Sequence, residues 1–225
     1  MSTTLFPMPA TTGSFNFPAP LAERYKPLEI GSFVGLDKVR KVLSAFTRAP
    51  YAADWLFVGP PGTGKTSMAF ALARALGGEV HHIPSQKYTV DAMEDICRRC
   101  WYVPLTGQWH TIIADEADRM SPAAQLATLS KTDGTSRPPH TLFVFTCNST
   151  DTLEPRFLSR CRVLEFSSYG LAQPASELLA GIWSRETADI EPTPEAPDFA
   201  RMLKDSRNNI RDALMRLETE ILASR

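Results

Sequence analysis

The stretch GPPGTGKTS, residues 59–67, carries three glycines, one lysine and three hydroxyl side chains in the pattern G-x-x-x-x-G-K-[ST]. Glycines let a backbone turn tightly enough for successive N–H groups to face the oxygens of a phosphate chain. Gly59, Pro60, Pro61, Gly62, Thr63, Gly64, Lys65, Thr66 and Ser67 are therefore the candidate nucleotide-binding residues. Lys65 is placed to reach the β- and γ-phosphates, and the Thr66 hydroxyl to bind Mg²⁺. The apolar DWLFV precedes the loop and the helical MAFALARAL follows it, so a helix N-terminus adds its positive dipole end to the site. The implied ligand is a nucleoside triphosphate such as ATP with Mg²⁺.

Two acids follow a second apolar run. TIIA leads into DEAD, where Asp115 is placed to hold the magnesium shell and Glu116 to act as general base on an attacking water. Together they predict hydrolysis rather than nucleotide binding alone. A third run, TLFVFT, ends in Cys147 and Asn148. If its tip lies beside the other two, the Asn148 amide can orient that water.

These residues need a scaffold that brings strand ends together. The short runs DWLFV, EVHHI, TIIA, TLFVFT and VLEF alternate with helical stretches, which predicts an α/β fold with a parallel sheet covered on both faces. After Phe166 the strand signals stop, and residues 173–188, 198–205 and 207–223 read as three helices. The expected organisation is a flexible tail at 1–22, an α/β nucleotide-binding domain at 23–166 and a small C-terminal helical lid domain at 167–225.

Composition narrows the classes further. The 225 residues include 24 basic and 25 acidic side chains, a net charge of −1, so nucleic acid binding would need a local patch. No apolar run is long enough to span a bilayer, and the N-terminus lacks the pattern of a secretion signal, so no membrane partner and a cytoplasmic location are expected. Cys97 and Cys100 form a C-x-x-C. With Val90 and Met93 they follow the spacing of one helix face, a pattern that favours packing over a metal knuckle.

The run LEPRFLSRCRVLEF concentrates Arg156, Arg160 and Arg162. GPPGTGKT, IIADEAD, TCNS and LSRC, in this order, resemble the Walker A, Walker B, sensor 1 and arginine-finger motifs of AAA+ ATPases, clamp-loader subunits in particular. These include the small subunits of replication factor C and the bacterial polymerase III loader. ERYKPLEIGSFVG, residues 23–35, is similar to the family's entry segment, which implies Tyr25, Val34 and Gly35 beside the adenine. NNIRDALMRLE, residues 208–218, is similar to the sensor 2 helix. The resemblance implies that Arg160 reaches a neighbouring subunit's nucleotide, and that Arg211 ties the lid to the γ-phosphate of its own. Arg156 and Arg162 have no counterpart and are left as solvated or interface charges.

The same resemblance implies other AAA+ subunits as partners in a homo- or hetero-oligomer, a sliding clamp, and primed or junction DNA. Lys87, Arg98, Arg99 and Lys131 are candidate DNA contacts, and STTLF at 2–6 resembles bacterial clamp-binding peptides. Three departures stand out. Thr132 and Asp133 replace the family's usual acidic pair, the bacterial zinc module is missing, and the sequence reaches Arg225 without the family's collar domain. A helicase-loading or branch-migration ATPase is the alternative with the same chemistry. A small-molecule P-loop kinase is the alternative of another class, and release of phosphate to water alone would count against it.

Overall fold

The computed structural model describes residues 19–134, 136–192 and 194–224. Most of the expected tail, including STTLF, lies outside the described residues. Its last positions correct the expected boundary. Residues Leu21–Arg24 form a helical turn, α1, and Leu21 is buried. A single apolar residue on one turn is too little for a periodicity argument to find.

Five strands form one parallel sheet: β1 (Asp54–Val58), β2 (Gly78–Ile83), β3 (Trp109–Ala114), β4 (Thr141–Cys147) and β5 (Arg162–Glu165). Their order across the sheet is β2-β3-β4-β1-β5. All four neighbouring pairs are parallel, with Val58 opposite Cys147 and Ala114 opposite Phe145. That register brings the C-terminal ends of β1, β3 and β4 side by side, the edge where open α/β sheets bind ligands.

Alternation along the strands divides the core. Trp55, Phe57, Leu142 and Val144 pack with α2 (Asp37–Phe46) and α3 (Lys65–Leu76) on one face. Leu56, Ile112, Phe143 and Phe145 pack on the other with α4 (Val90–Arg99), α5 (Pro122–Thr132) and α6 (Pro155–Leu158). Strands buried on both faces read as continuous apolar runs, which is why they stood out in the sequence. As expected, Met93 and Cys97 lie on the buried face of α4.

A third cluster joins α1 to α7 (Ala172–Glu186), α8 (Phe199–Asp205) and α9 (Ile210–Ala223) through Leu21, Leu179, Trp183, Leu203 and Leu217. The Leu21 N–H donates to Glu218 Oε1 at 3.2 Å, so the entry segment is fastened to the last helix. Tyr25 and Val34, partly buried, pack against this cluster.

Candidate nucleotide site

The loop after β1 is shaped by glycines at positive φ. Gly62 has φ 77° and Gly64, at the N-cap of α3, has φ 88°. No side chain caps α3, so its first-turn N–H groups remain for a ligand. Lys65 is folded inward: Nζ donates to Gly59 O at 2.6 Å, Pro60 O at 2.9 Å and Asn148 Oδ1 at 3.0 Å. Burial pulls its ammonium below the ordinary lysine value; Cys147, Asp118 and Asp115 oppose this and Arg211 adds to it. A bound polyphosphate would relieve that penalty, because a nearby opposite charge favours the charged form.

Asp115 ends β3 behind Thr66. Its Oδ1 accepts from Thr66 Oγ1 at 2.9 Å and Thr146 Oγ1 at 3.0 Å, and its Oδ2 lies 2.7 Å from His82 Nε2. Oxygen ligands at right angles on Mg²⁺, with bonds of ~2.0–2.1 Å, lie ~2.9 Å apart. The Thr66 and Asp115 oxygens already have that spacing, so this donor pair fits the ion. When bound, Mg²⁺ would neutralise phosphate charge at this end of the sheet.

Glu116 adopts a left-handed backbone at φ 54°, a conformation that costs a non-glycine residue about 1–3 kcal/mol. Its N–H donates to Thr146 Oγ1 at 3.2 Å, which holds the turn. Its carboxylate pairs with Arg119 at 3.2 Å and is 42% exposed, reachable by water. Asn148 is fixed from behind, its N–H donating to Asp118 Oδ2 at 3.3 Å.

The lid closes the site from above. Tyr25, Val34, Pro61, Gly62, Thr63, Gly64, Lys65, Thr66, Ser67, Glu116, Asn148 and Arg211 all line one cavity of about 950 Å³. That volume lies near the top of the ~300–1,000 Å³ range of small-molecule sites. Gly59 and Pro60 are off its wall; they hold Lys65 through their carbonyls. Gly35 is also absent from it. At φ 66° it faces Leu171, whose Cδ1 lies 2.5 Å from where a Cβ would stand, so it serves the turn against the lid instead of adenine.

Several contacts here had no signal in the sequence. Asn209 of the lid meets the Gly62 position, where an added Cβ would lie 1.9 Å from its Oδ1. Tyr25 donates to Glu186 Oε1 at 2.6 Å, tying the entry segment to α7. Thr146 and His82 were single residues inside apolar or mixed runs, without a motif of their own.

Arg160 lies outside the cavity. Its Nη1 donates to Leu129 O at 2.7 Å and pairs with Asp133 Oδ1 at 3.0 Å, and its side chain is 40% exposed. It is neither buried nor at its own chain's phosphate loop. Asp133, noted above as a departure from the family pattern, is the acid that holds it. Arg162 lies over the Tyr51 ring at 5.2 Å. Among the candidate DNA contacts, Arg98 pairs with Asp95 at 3.4 Å and Lys131 with Glu94 at 3.6 Å.

Known proteins are similar to this chain in sequence and in fold. A probable replication factor C subunit 2 of Dictyostelium discoideum is 32% identical over 213 residues, covering 88% of this chain and 60% of that protein. A replication factor C small subunit of Methanoregula boonei is 26% identical, covering 90% of this chain and 63% of that protein. The chain thus spans about 60% of the length of these curated relatives. The Thermotoga maritima RuvB Holliday junction branch migration motor superimposes with a TM-score of 0.67 at 24% identity, covering 87% of this chain and 64% of that one, a likeness of fold. Residues 55–169, the strands and loops that build the site, match the ATPase family associated with various cellular activities (AAA), and the chain belongs to that family.

Proposed function

We propose that the protein is an ATP-hydrolysing, clamp-loader-like subunit that works in an oligomer during DNA replication or repair. Lys65 and the first turn of α3 hold the phosphates, while Thr66 and Asp115 hold Mg²⁺. Glu116 takes a proton from the attacking water, and Asn148 positions that water. Arg211 reports the γ-phosphate to the lid. The reading places the protein in the cytoplasm, with other AAA+ subunits, a sliding clamp and primed DNA as partners.

The observation that carries the oligomeric part is Arg160. A half-exposed arginine, steadied by Asp133 and the Leu129 carbonyl and absent from its own cavity, suits delivery to a neighbour's nucleotide. A planar, permanently charged guanidinium in that role can be worth ~10³–10⁵ in rate. The replication factor C relatives support a clamp-loader assignment over other machines that share the fold.

The test is complementation. Arg160→Ala protein retains an intact site and Lys65→Ala protein retains an intact finger. Each should be nearly inactive alone, and a mixture should recover ATPase activity. If mixtures stay inactive at high concentration with primed DNA present, and wild-type activity per chain is independent of concentration, the shared-site reading is wrong.

A further inference from the structure

On the sheet face opposite α3, three residues distant in sequence meet. His81 lies in β2, His110 in β3, and Cys100 at the C-cap of α4. All three are buried, and their ligand atoms lie within 4.8 Å of one another. The parallel register sets Glu79 opposite His110, and the two-residue period of a strand puts His81 on the same face as both. Glu79 Oε2 is 3.8 Å from His110 Nδ1.

The two imidazoles already point their inner nitrogens at each other, joined by a hydrogen bond that a metal ion would replace. His81 Nε2 and His110 Nδ1 are 3.1 Å apart, and His110 Nε2 lies 2.8 Å from the Tyr102 carbonyl. Because that carbonyl can only accept, Nε2 carries the proton and Nδ1 turns its lone pair inward. Metal-bound histidines are commonly oriented by such a bond from the other ring nitrogen. Nitrogens bound to a tetrahedral zinc at ~2.0–2.1 Å lie ~3.3 Å apart, close to the spacing found.

We propose that His81, Cys100 and His110 form a structural zinc site, with Glu79 as its fourth ligand once the ion is bound. Two imidazoles and a thiolate select a borderline ion such as Zn²⁺ over Mg²⁺ or Ca²⁺. The Glu79 carboxylate, 41% exposed and outside the converging cluster, would have to swing inward to supply the fourth ligand. On loading, Cys100 gives its thiol proton to solvent, and the His81 proton moves from Nε2 to Nδ1. None of the four residues lines the nucleotide cavity, so this ion is separate from Mg²⁺. It would join β2, β3 and α4 one residue away from His82, which holds Asp115 on the other face. Cys97, the other half of the C-x-x-C, is not among the converging ligand atoms, although both cysteines pack in the core on this face.

The full chain, stripped with a chelator and returned to zinc, should retain about one equivalent after removal of free metal. Cobalt in its place should give intense tetrahedral visible bands and a near-ultraviolet thiolate-to-cobalt charge-transfer band. Cobalt held by Thr66 and Asp115 has no sulfur ligand and gives no such band. The band should vanish in Cys100→Ser and persist in Cys97→Ser, with circular dichroism reporting that both fold. Should Cys100→Ser fail to fold, loss of the band in His81→Gln decides instead. Absence of stoichiometric zinc and of the charge-transfer band in the wild type, or a band that survives both Cys100→Ser and His81→Gln, overturns the proposal.

Discussion

Lys65 Nζ donates to Asn148 Oδ1 at 3.0 Å across 83 residues of sequence, and the bond joins the loop after β1 to the tip of β4. With the Gly59 and Pro60 carbonyls it occupies all three N–H donors of the ammonium, so binding a phosphate requires Lys65 to give up at least one of these bonds. The positive charge nevertheless stands beside the loop proposed to bind the phosphates.

Lys65→Ala should therefore weaken ATP binding severely, whereas Glu116→Gln should bind ATP normally and lose turnover, since Thr66 and Asp115, the proposed magnesium ligands, remain. General-base catalysis typically contributes ~10²–10⁴-fold, so Glu116→Gln should slow turnover by about that factor. Equilibrium binding of labelled ATP, measured beside phosphate release, checks both. Unimpaired turnover by Glu116→Gln would remove the residue from the mechanism.

Asn148→Ala should separate positioning from affinity. Lys65 keeps two backbone acceptors, so ATP affinity should change little. Turnover should fall at least about tenfold, equivalent to ~1.4 kcal/mol of barrier. Single-turnover hydrolysis at saturating ATP is the measurement; an unchanged rate would leave Asn148 a purely structural turn residue.

Gly62 and Asn209 should be energetically coupled. Asn209 Oδ1 caps α9 by accepting from the Asp212 N–H at 3.2 Å, and a Cβ at position 62 would collide with that atom. Gly62→Ala should cost about 1–2 kcal/mol for the left-handed backbone, plus about 1 kcal/mol for the displaced cap. Urea unfolding of both single variants and the double variant tests this. In the Asn209→Ala background, Gly62→Ala should cost only the backbone part, and strict additivity would contradict the coupling.

Asp54 and Arg137 should show an inverted acid response. The pair is nearly buried, with side chains 5% and 13% exposed. Burial raises the Asp54 carboxyl above its ordinary 3.8, and Arg137 opposes the rise. Because the folded value exceeds the unfolded one, the associated stability is present below 3.8 and lost as pH rises through the folded value. Relative to Asp54→Asn, which does not titrate, the wild type should thus gain stability on acidification. Arg137→Ala strands a buried carboxylate and should cost about 3–5 kcal/mol at neutral pH, less in acid. Unfolding curves across the acid range decide it; a wild type that loses ground to Asp54→Asn on acidification would contradict the sign.

The phosphate loop, the strand-end acids and the five apolar runs were legible in the sequence because each is a local pattern. Gly62 and Gly64 sit close to Lys65 in the chain, and the central strands β1, β3 and β4, buried on both faces, are written as largely apolar segments. The edge strands β2 and β5 are half exposed and stood out only as short runs between turns. What depended on strand order was hidden. Placing β4 between β1 and β3 is what brings Lys65 to Asn148 and Thr66 to Asp115. The bond from His82 to Asp115 follows from the β2–β3 pairing, and that of Arg160 to Asp133 from α5 lying beside α6. Leu21 shows the same limit at the tail. Its burial depends on a lid helix formed nearly two hundred residues later, and no spacing within the tail encodes that contact. Periodicity specifies which face of an element is apolar, whereas the partner of each polar atom is settled only when distant elements pack and every buried donor must find an acceptor.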